Sequence, residues 1–300
     1  MHYKEPAILP SGEPPVSGFP LRYLASLRLC GYELQFLGSM TAAGQSSTPI
    51  TPDTVVVSNG NLRLKALLWK PAGSGPFPAV LFSHGAGRAD PSRAQLIGPI
   101  FARHGYVFLY LFRRGHGLSA TEGAFIGDVL KQEAAANGEK ARSRLHLVLL
   151  TTDHSDDVNA GLLFLKHLAA VDPGRVAVAG HSFGGQLALL AAERDSSIRA
   201  AVTFAAAAAL WQSSADLRER LLTAARNIRV PVFLHYAAND YSTAPGRVIA
   251  AEMARLNKPH QLKISQAVGE TSAAGHAALY ADIVAWEHDV FKFLDEHVRR

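Results

Sequence analysis

The segment Arg175–Ala192, RVAVAGHSFGGQLALLAA, constrains the chain more than any other stretch. A short apolar run, Val176–Ala179, enters Gly180-His181-Ser182-Phe183-Gly184 and leaves directly into an Ala/Leu-rich helix. A G-x-S-x-G sequence acquires its mechanical meaning between a buried strand and a helix, and both flanks are present. Such a turn forces Ser182 into a strained backbone conformation at the carboxyl end of a sheet. Side chains two positions to either side would collide with it, so Gly180 and Gly184 are required, and Gly185 lets the helix pack close. The helix N-terminus then directs its free N–H groups at negative charge developing beside Ser182.

The rest of the chain alternates strands and helices around that segment. Thr54–Ser58 and Leu62–Trp69, joined by Asn59-Gly60-Asn61, read as a β-hairpin, because Asn-Gly tolerates the positive φ of tight hairpin turns. Short apolar runs follow at Ala79–Ser83, Tyr106–Phe112, Val176–Ala179, Ala200–Phe204 and Val230–Tyr236, with a last strand expected at His260–Ile264. Helices are expected near Gln95–His104, Asp157–Ala169, Gln186–Arg194, Ala215–Arg226 and Arg247–Leu256, with a closing helix over Tyr280–Val298. Unbroken apolar strands alternating with amphipathic helices predict an α/β fold: a mostly parallel central sheet of about eight strands, covered on both faces. Residues 54–300 are expected to form one folded domain. Residues 1–53 read as an irregular extension and linker, Pro-rich over 1–20 and more apolar over 21–40. Arg28 and Glu33 interrupt that apolar stretch, which favours a packed helix over a secretory segment. A cytoplasmic protein is therefore expected, with export as the alternative.

Composition removes several function classes. Lys plus Arg (30) exceeds Asp plus Glu (25) by only five over 300 residues, with no run of five like charges, so nothing points to nucleic acid. A single cysteine, Cys30, leaves no internal disulfide and no Cys-based metal site. No apolar stretch reaches the roughly 18 residues of a membrane span. With 48% hydrophobic and 18% charged residues, the chain can build a core and is not a disordered tail.

A serine nucleophile needs a base, and the base needs an orienting carboxylate. On this kind of sheet they follow in the order serine, acid, histidine. Asp240 ends the strand PVFLHYAAND, and His276 lies in SAAGHAAL, between the expected last strand and last helix. Asp216 is a weaker acid candidate, since it opens a helix where a first-turn carboxylate is common. His235 within a strand, His260 at a strand start, and His288 and His297 on the final helix read as core or surface histidines. The expected oxyanion donors are the backbone N–H groups of Phe183 and of Ala86, in Ser83-His84-Gly85-Ala86-Gly87. Arg113-Arg114-Gly115-His116-Gly117 lacks nucleotide-loop order and reads as a brace for a nearby turn. In His154-Ser155-Asp156-Asp157, a helix N-cap at Asp156 or Asp157 explains the acids as well as a metal would. No metal or organic cofactor is expected. Residues 118–156 are long for a connection, with a helix expected near Val129–Ala136, and suit a lid or substrate wall. Phe125, Trp211 and Tyr241 are candidate pocket aromatics.

These pieces together resemble the α/β-hydrolase superfamily, in particular its dienelactone hydrolase-like branch, which is similar to the catalytic domains of prolyl oligopeptidase-type serine peptidases. The carriers are SHGAG at 83–87, FRRGHGLS at 112–119, GHSFGG at 180–185, HYAANDYSTAP at 235–245 and AGHAAL at 274–279. The resemblance implies Ser182 as nucleophile, Asp240 as acid, His276 as base, and Ala86 and Phe183 as oxyanion donors. Dienelactone hydrolases proper carry a cysteine nucleophile, so Ser182 points to general ester hydrolysis of a small-molecule substrate. A small peptidase or amidase is the alternative, and a non-catalytic hydrolase-fold binding protein a remote one. Chain-length preference and oligomeric state are not legible.

Overall fold

The computed structural model describes residues 50–299. The calls on residues 1–49, Cys30 among them, lie outside the described residues. Asn59-Gly60 turns the chain between β1 (Asp53–Asn59) and β2 (Leu62–Trp69), which pair antiparallel as the Asn-Gly signal requires. Six further strands complete one sheet: β3 (Phe77–Ser83), β4 (Val107–Leu111), β5 (Val171–His181), β6 (Ala201–Phe204), β7 (Val232–Ala237) and β8 (His260–Ser265). The spatial order is β1-β2-β4-β3-β5-β6-β7-β8. β2 also pairs antiparallel with β4, and every other pairing is parallel.

Parallel strands need helical crossovers, and these cover both faces. Residue alternation assigns the two layers. In β3, Ala79 and Leu81 enter one core while Val80 and Phe82 enter the other; in β4, Val107, Leu109 and Leu111 oppose Phe108 and Tyr110 in the same way. One layer holds α2 (Ile126–Thr151), α3 (Asp153–Lys166), α4 (Phe183–Arg194), α5 (Ala215–Asn227) and α6 (Ala244–Arg255). The other is aromatic. There α1 (Pro91–Arg103) and α9 (Glu287–Leu294) bring Phe101, Trp286 and Phe291 onto Trp69, Phe82 and Phe108.

Three sequence expectations need correction. The closing helix is not continuous over Tyr280–Val298. It is divided into α8 (Ala278–Ala281), a turn, and α9, which runs on into a short π-helical turn (Asp295–Arg299). Trp286 causes the break: its ring is fully buried, and its Nε1–H donates to the Leu279 carbonyl at 3.0 Å. The helix expected near Val129–Ala136 runs instead from Ile126 to Thr151, kinked at Gly138 (φ 82°, ψ 173°). Neither Asp156 nor Asp157 caps α3. The N-cap is Thr152, and Asp157 lies a turn inside the helix, where it meets Arg114.

The sheet also contains a topological switch. From β3 the chain crosses to β4 on one side, and β5 later lies against β3 on the other. Loops leaving the carboxyl ends of β3 and β5 diverge there and open a crevice, the general ligand-binding position of open α/β sheets.

Candidate active site

Ser182 follows β5 with φ 57° and ψ −115° and caps α4. Its neighbours explain why this strain persists. A Cβ on Gly180 would collide with the Gly184 carbonyl, and one on Gly184 would collide with the Ser83 and His84 carbonyls. The backbone therefore closes on itself only with glycine at both positions. Ser182 N–H donates to the Phe204 carbonyl at 2.8 Å, which fixes the turn against the next strand.

Asp240 stands in the turn after β7, and His276 ends the short helix α7 (Ser272–His276), after β8. The structure brings all three into one hydrogen-bonded chain. His276 Nε2 is 2.9 Å from Ser182 Oγ, and its Nδ1 is 2.8 Å from Asp240 Oδ1. The Asp240 side chain is fully buried, and the same Oδ1 accepts the Tyr241 N–H at 2.7 Å. Held this way, the imidazole has its lone pair toward the serine and its N–H toward the carboxylate, the geometry for moving a proton off Oγ. Ala86 and Phe183 line a cavity together with Ser182. Asp216 lies in the first turn of α5, behind the N-cap Ser214. His235 is buried within β7 against Phe204, and burial pushes its imidazole down to about 4. His260 Nδ1 meets the Lys258 carbonyl, and His297 packs on Phe293.

Several supports carry no sequence signature. Asn239 Nδ2 donates to the carbonyls of Val268 and Thr271, both at 3.0 Å, and Gly269, while its Oδ1 accepts from Val268 N–H. It thereby ties the Asp240 turn to the segment that carries His276. His181 Nε2–H donates to the His276 carbonyl at 2.7 Å. Burial, with His276 beside it, pushes the His181 imidazole down to about 3, so the ring is neutral.

Arg113 is fully buried and braces the loop after β3: its guanidinium donates to the carbonyls of His84 (2.7 Å) and Gly85 (3.0 Å). It also lies over the Phe183 ring at 5.2 Å. His116 sits with Nε2 3.3 Å from the Ala86 carbonyl and is pushed down to about 4 by burial and by Arg113. Arg114 takes Asp157 as counter-charge through Nε and Nη2, with Asn59 completing the carboxylate's bonds. That demand, a buried charge needing its partner, is why Asp157 serves here and not at a helix start.

Two chambers flank Ser182. The larger encloses about 680 Å³ between the elbow and α2. Phe125, Ile126, Leu130, Ala207 and Leu210 supply its apolar wall. Gln186 and His146 add polar groups, the latter pushed down to about 4 by burial and Arg142. From the 118–156 segment, Phe125 and α2 residues as far as His146 line this chamber. The smaller chamber, about 180 Å³, lies on the other side, lined by Gly85, Arg93, Tyr110, His181, His276 and Tyr280 among others. Of the candidate aromatics, Phe125 lines the larger chamber and Trp211 is core. Tyr241 is half exposed, its ring 5.0 Å from that of His276.

The eight-stranded, mostly parallel sheet with Ser182 at the β5–α4 turn defines an α/β-hydrolase fold. A model of the dienelactone hydrolase family matches residues 64–279, and the chain belongs to that family. Among relatives, the quorum-quenching protein AidA of Acinetobacter baumannii is 23% identical over 158 residues, 53% of this chain and 45% of its own length. The chain thus spans less than half of that relative. The Pyrococcus furiosus esterase Pf2001 superposes with a TM-score of 0.61 at 16% identity, over 83% of this chain and 94% of the esterase. A dienelactone hydrolase from Anabaena variabilis gives 0.58 at 17% identity, over 83% and 100%. An acylaminoacyl peptidase from Pyrococcus horikoshii gives 0.60 at 17% identity, over 85% and 43%. At such identities the likeness is one of fold. Membership makes the protein a hydrolase-family member, and no helix among the described residues is long and apolar enough to cross a membrane.

Proposed function

We propose that the protein is a serine hydrolase that cleaves carboxylic esters through an acyl-enzyme. One observation carries this reading: the unbroken hydrogen-bonded chain from buried Asp240 through His276 to Ser182 Oγ, at a strained turn beside an apolar cavity. His276 takes the Ser182 proton as Oγ attacks the ester carbonyl, while Asp240 fixes the tautomer and stabilises the imidazolium. Backbone N–H groups of Phe183 and Ala86 hold the tetrahedral oxyanion, aided by the N-terminus of α4. The carbon–oxygen bond then breaks, and the alcohol leaves with the proton from His276. Water attacks the acyl-enzyme by the same route and releases the acid. Arg113 and His116 keep the Ala86 loop in place from behind.

A fluorophosphonate probe with peptide mapping tests this directly. A single adduct on the Ser182 peptide, absent in Ser182→Ala, is expected, together with a loss of ester turnover on the order of 10⁶-fold in the variant. An unlabelled but folded wild type would refute the assignment. Paired p-nitrophenyl ester and p-nitroanilide substrates separate ester from amide cleavage.

A further inference from the structure

We propose that the two chambers beside Ser182 divide the substrate between them, the large one taking a long apolar acyl chain and the small one a short polar alcohol. The proposal rests on the ester-hydrolase reading above and adds the substrate class to it.

The assignment follows from where the proton must go. In the acylation step Ser182 Oγ bonds to the carbonyl carbon, the ester C–O bond breaks, and the departing oxygen receives the proton that His276 removed from Oγ. The leaving oxygen must therefore come within hydrogen-bond reach of His276 Nε2. His276 is a wall of the small chamber and not of the large one. The oxyanion corner, Ala86 and Ser182, is common to both. With the carbonyl oxygen in that corner and the leaving oxygen toward His276, the acyl chain is left facing α2.

The walls agree with that division. Phe125, Ile126, Leu130 and Leu210 offer the acyl chain an apolar surface, while Lys131, Glu139 and Arg142 line the same chamber from α2, Arg142 paired with Glu139 at 2.9 Å. The small chamber has the volume of about six waters and is walled by Arg93, His181, Tyr110 and Tyr280. The Arg93 guanidinium lies 5.1 Å above the Tyr280 ring. The Arg93 guanidinium, the His181 ring and the Tyr110 and Tyr280 side chains crowd so small a space with polar groups that a short hydroxylated alcohol suits these walls and a long alkyl alcohol does not.

The test varies the two halves of the ester separately by pH-stat. Across ethyl esters of straight-chain acids from acetate to decanoate, kcat/KM is expected to rise about four-fold per methylene until the chamber fills. Across hexanoates it is expected to fall at least ten-fold once the alcohol exceeds butanol, with glyceryl hexanoate preferred over pentyl hexanoate. Ala134→Trp, placed in the α2 wall, is expected to lower the octanoate-to-acetate ratio at least ten-fold. An optimum at acetate combined with tolerance of octanol esters overturns the assignment, as does an unchanged ratio in a folded Ala134→Trp. The same acyl series offered as N-ethylamides separates the two levels of inference. Turnover of amides alone, with the same rise in acyl length, removes the ester reading and keeps the chambers. A flat series in whichever class is hydrolysed removes the chambers alone. A protein that turns over neither class loses both.

Discussion

A Cβ added to Gly184 would fall on two backbone carbonyls, whereas one added to Gly138 would meet nothing within 4 Å. The contrast describes the two sides of the larger chamber. On the elbow side, backbone contacts exclude every alternative, so the position of Ser182 is over-determined and strain at φ 57° can be held. On the α2 side, the helix bends at a residue with open space around it and meets the body mainly through Leu130, Leu145, Leu149 and Leu150. Chemistry needs the first kind of construction. A surface that only has to shape a substrate tolerates the second.

Asp240→Asn should reduce kcat by about 10⁴-fold with the fold intact, as loss of the orienting carboxylate does in serine proteases; activity near wild type would mean that another group orients His276. Gly184→Ala should cost about 3 kcal/mol in urea unfolding, because backbone cannot yield as a side chain does. An unperturbed midpoint would show that the elbow relaxes.

Acid provides a third probe. Burial holds His116, His146 and His235 at about 4 and His181 at about 3, below the ordinary 6.5. Between pH 6.5 and 4 the unfolded chain therefore binds more protons than the native one, so stability falls as pH falls through that window. Each histidine contributes at most about 1.4 kcal/mol per pH unit. A urea midpoint that does not move between pH 7 and pH 5 would contradict those neutral rings. The smallest effect belongs to Gly138→Ala, expected to cost about 1 kcal/mol, since φ 82° with ψ 173° is a glycine conformation. A loss as large as that of Gly184→Ala would erase the distinction between the two sides.

The same distinction governs what was legible in the sequence. The elbow is local: strand, glycines, serine and helix are consecutive, and the structure has them so. Short apolar runs similarly placed the central strands β3 to β7, which are largely buried on both faces, while the Asn-Gly turn signal marked the more exposed β1 and the start of β2. For Arg113 a bracing role was legible but not what it braces, and the roles of Asn239 and Asp157 were hidden, because each acts through partners distant in sequence. Arg113 reaches His84, Asn239 reaches Val268, and Asp157 reaches Arg114. The break before α9 was hidden for the same reason, since the Trp286 ring packs against Phe101 and Phe204, both distant in sequence. Local propensity yields to tertiary packing at such points.

The Asn239 tie has a consequence for the lifetime of the molecule. One side-chain amide faces three carbonyl oxygens and holds the turn of Asp240 to the loop of His276. Slow hydrolysis of that amide to a carboxylate, an ordinary fate of asparagine in ageing proteins, would exchange its donors for a negative charge against those same oxygens. One small covalent change would thus slacken the alignment of Asp240 and His276 at once. The durability of such a site is set by its weakest covalent bond as well as by the folding equilibrium.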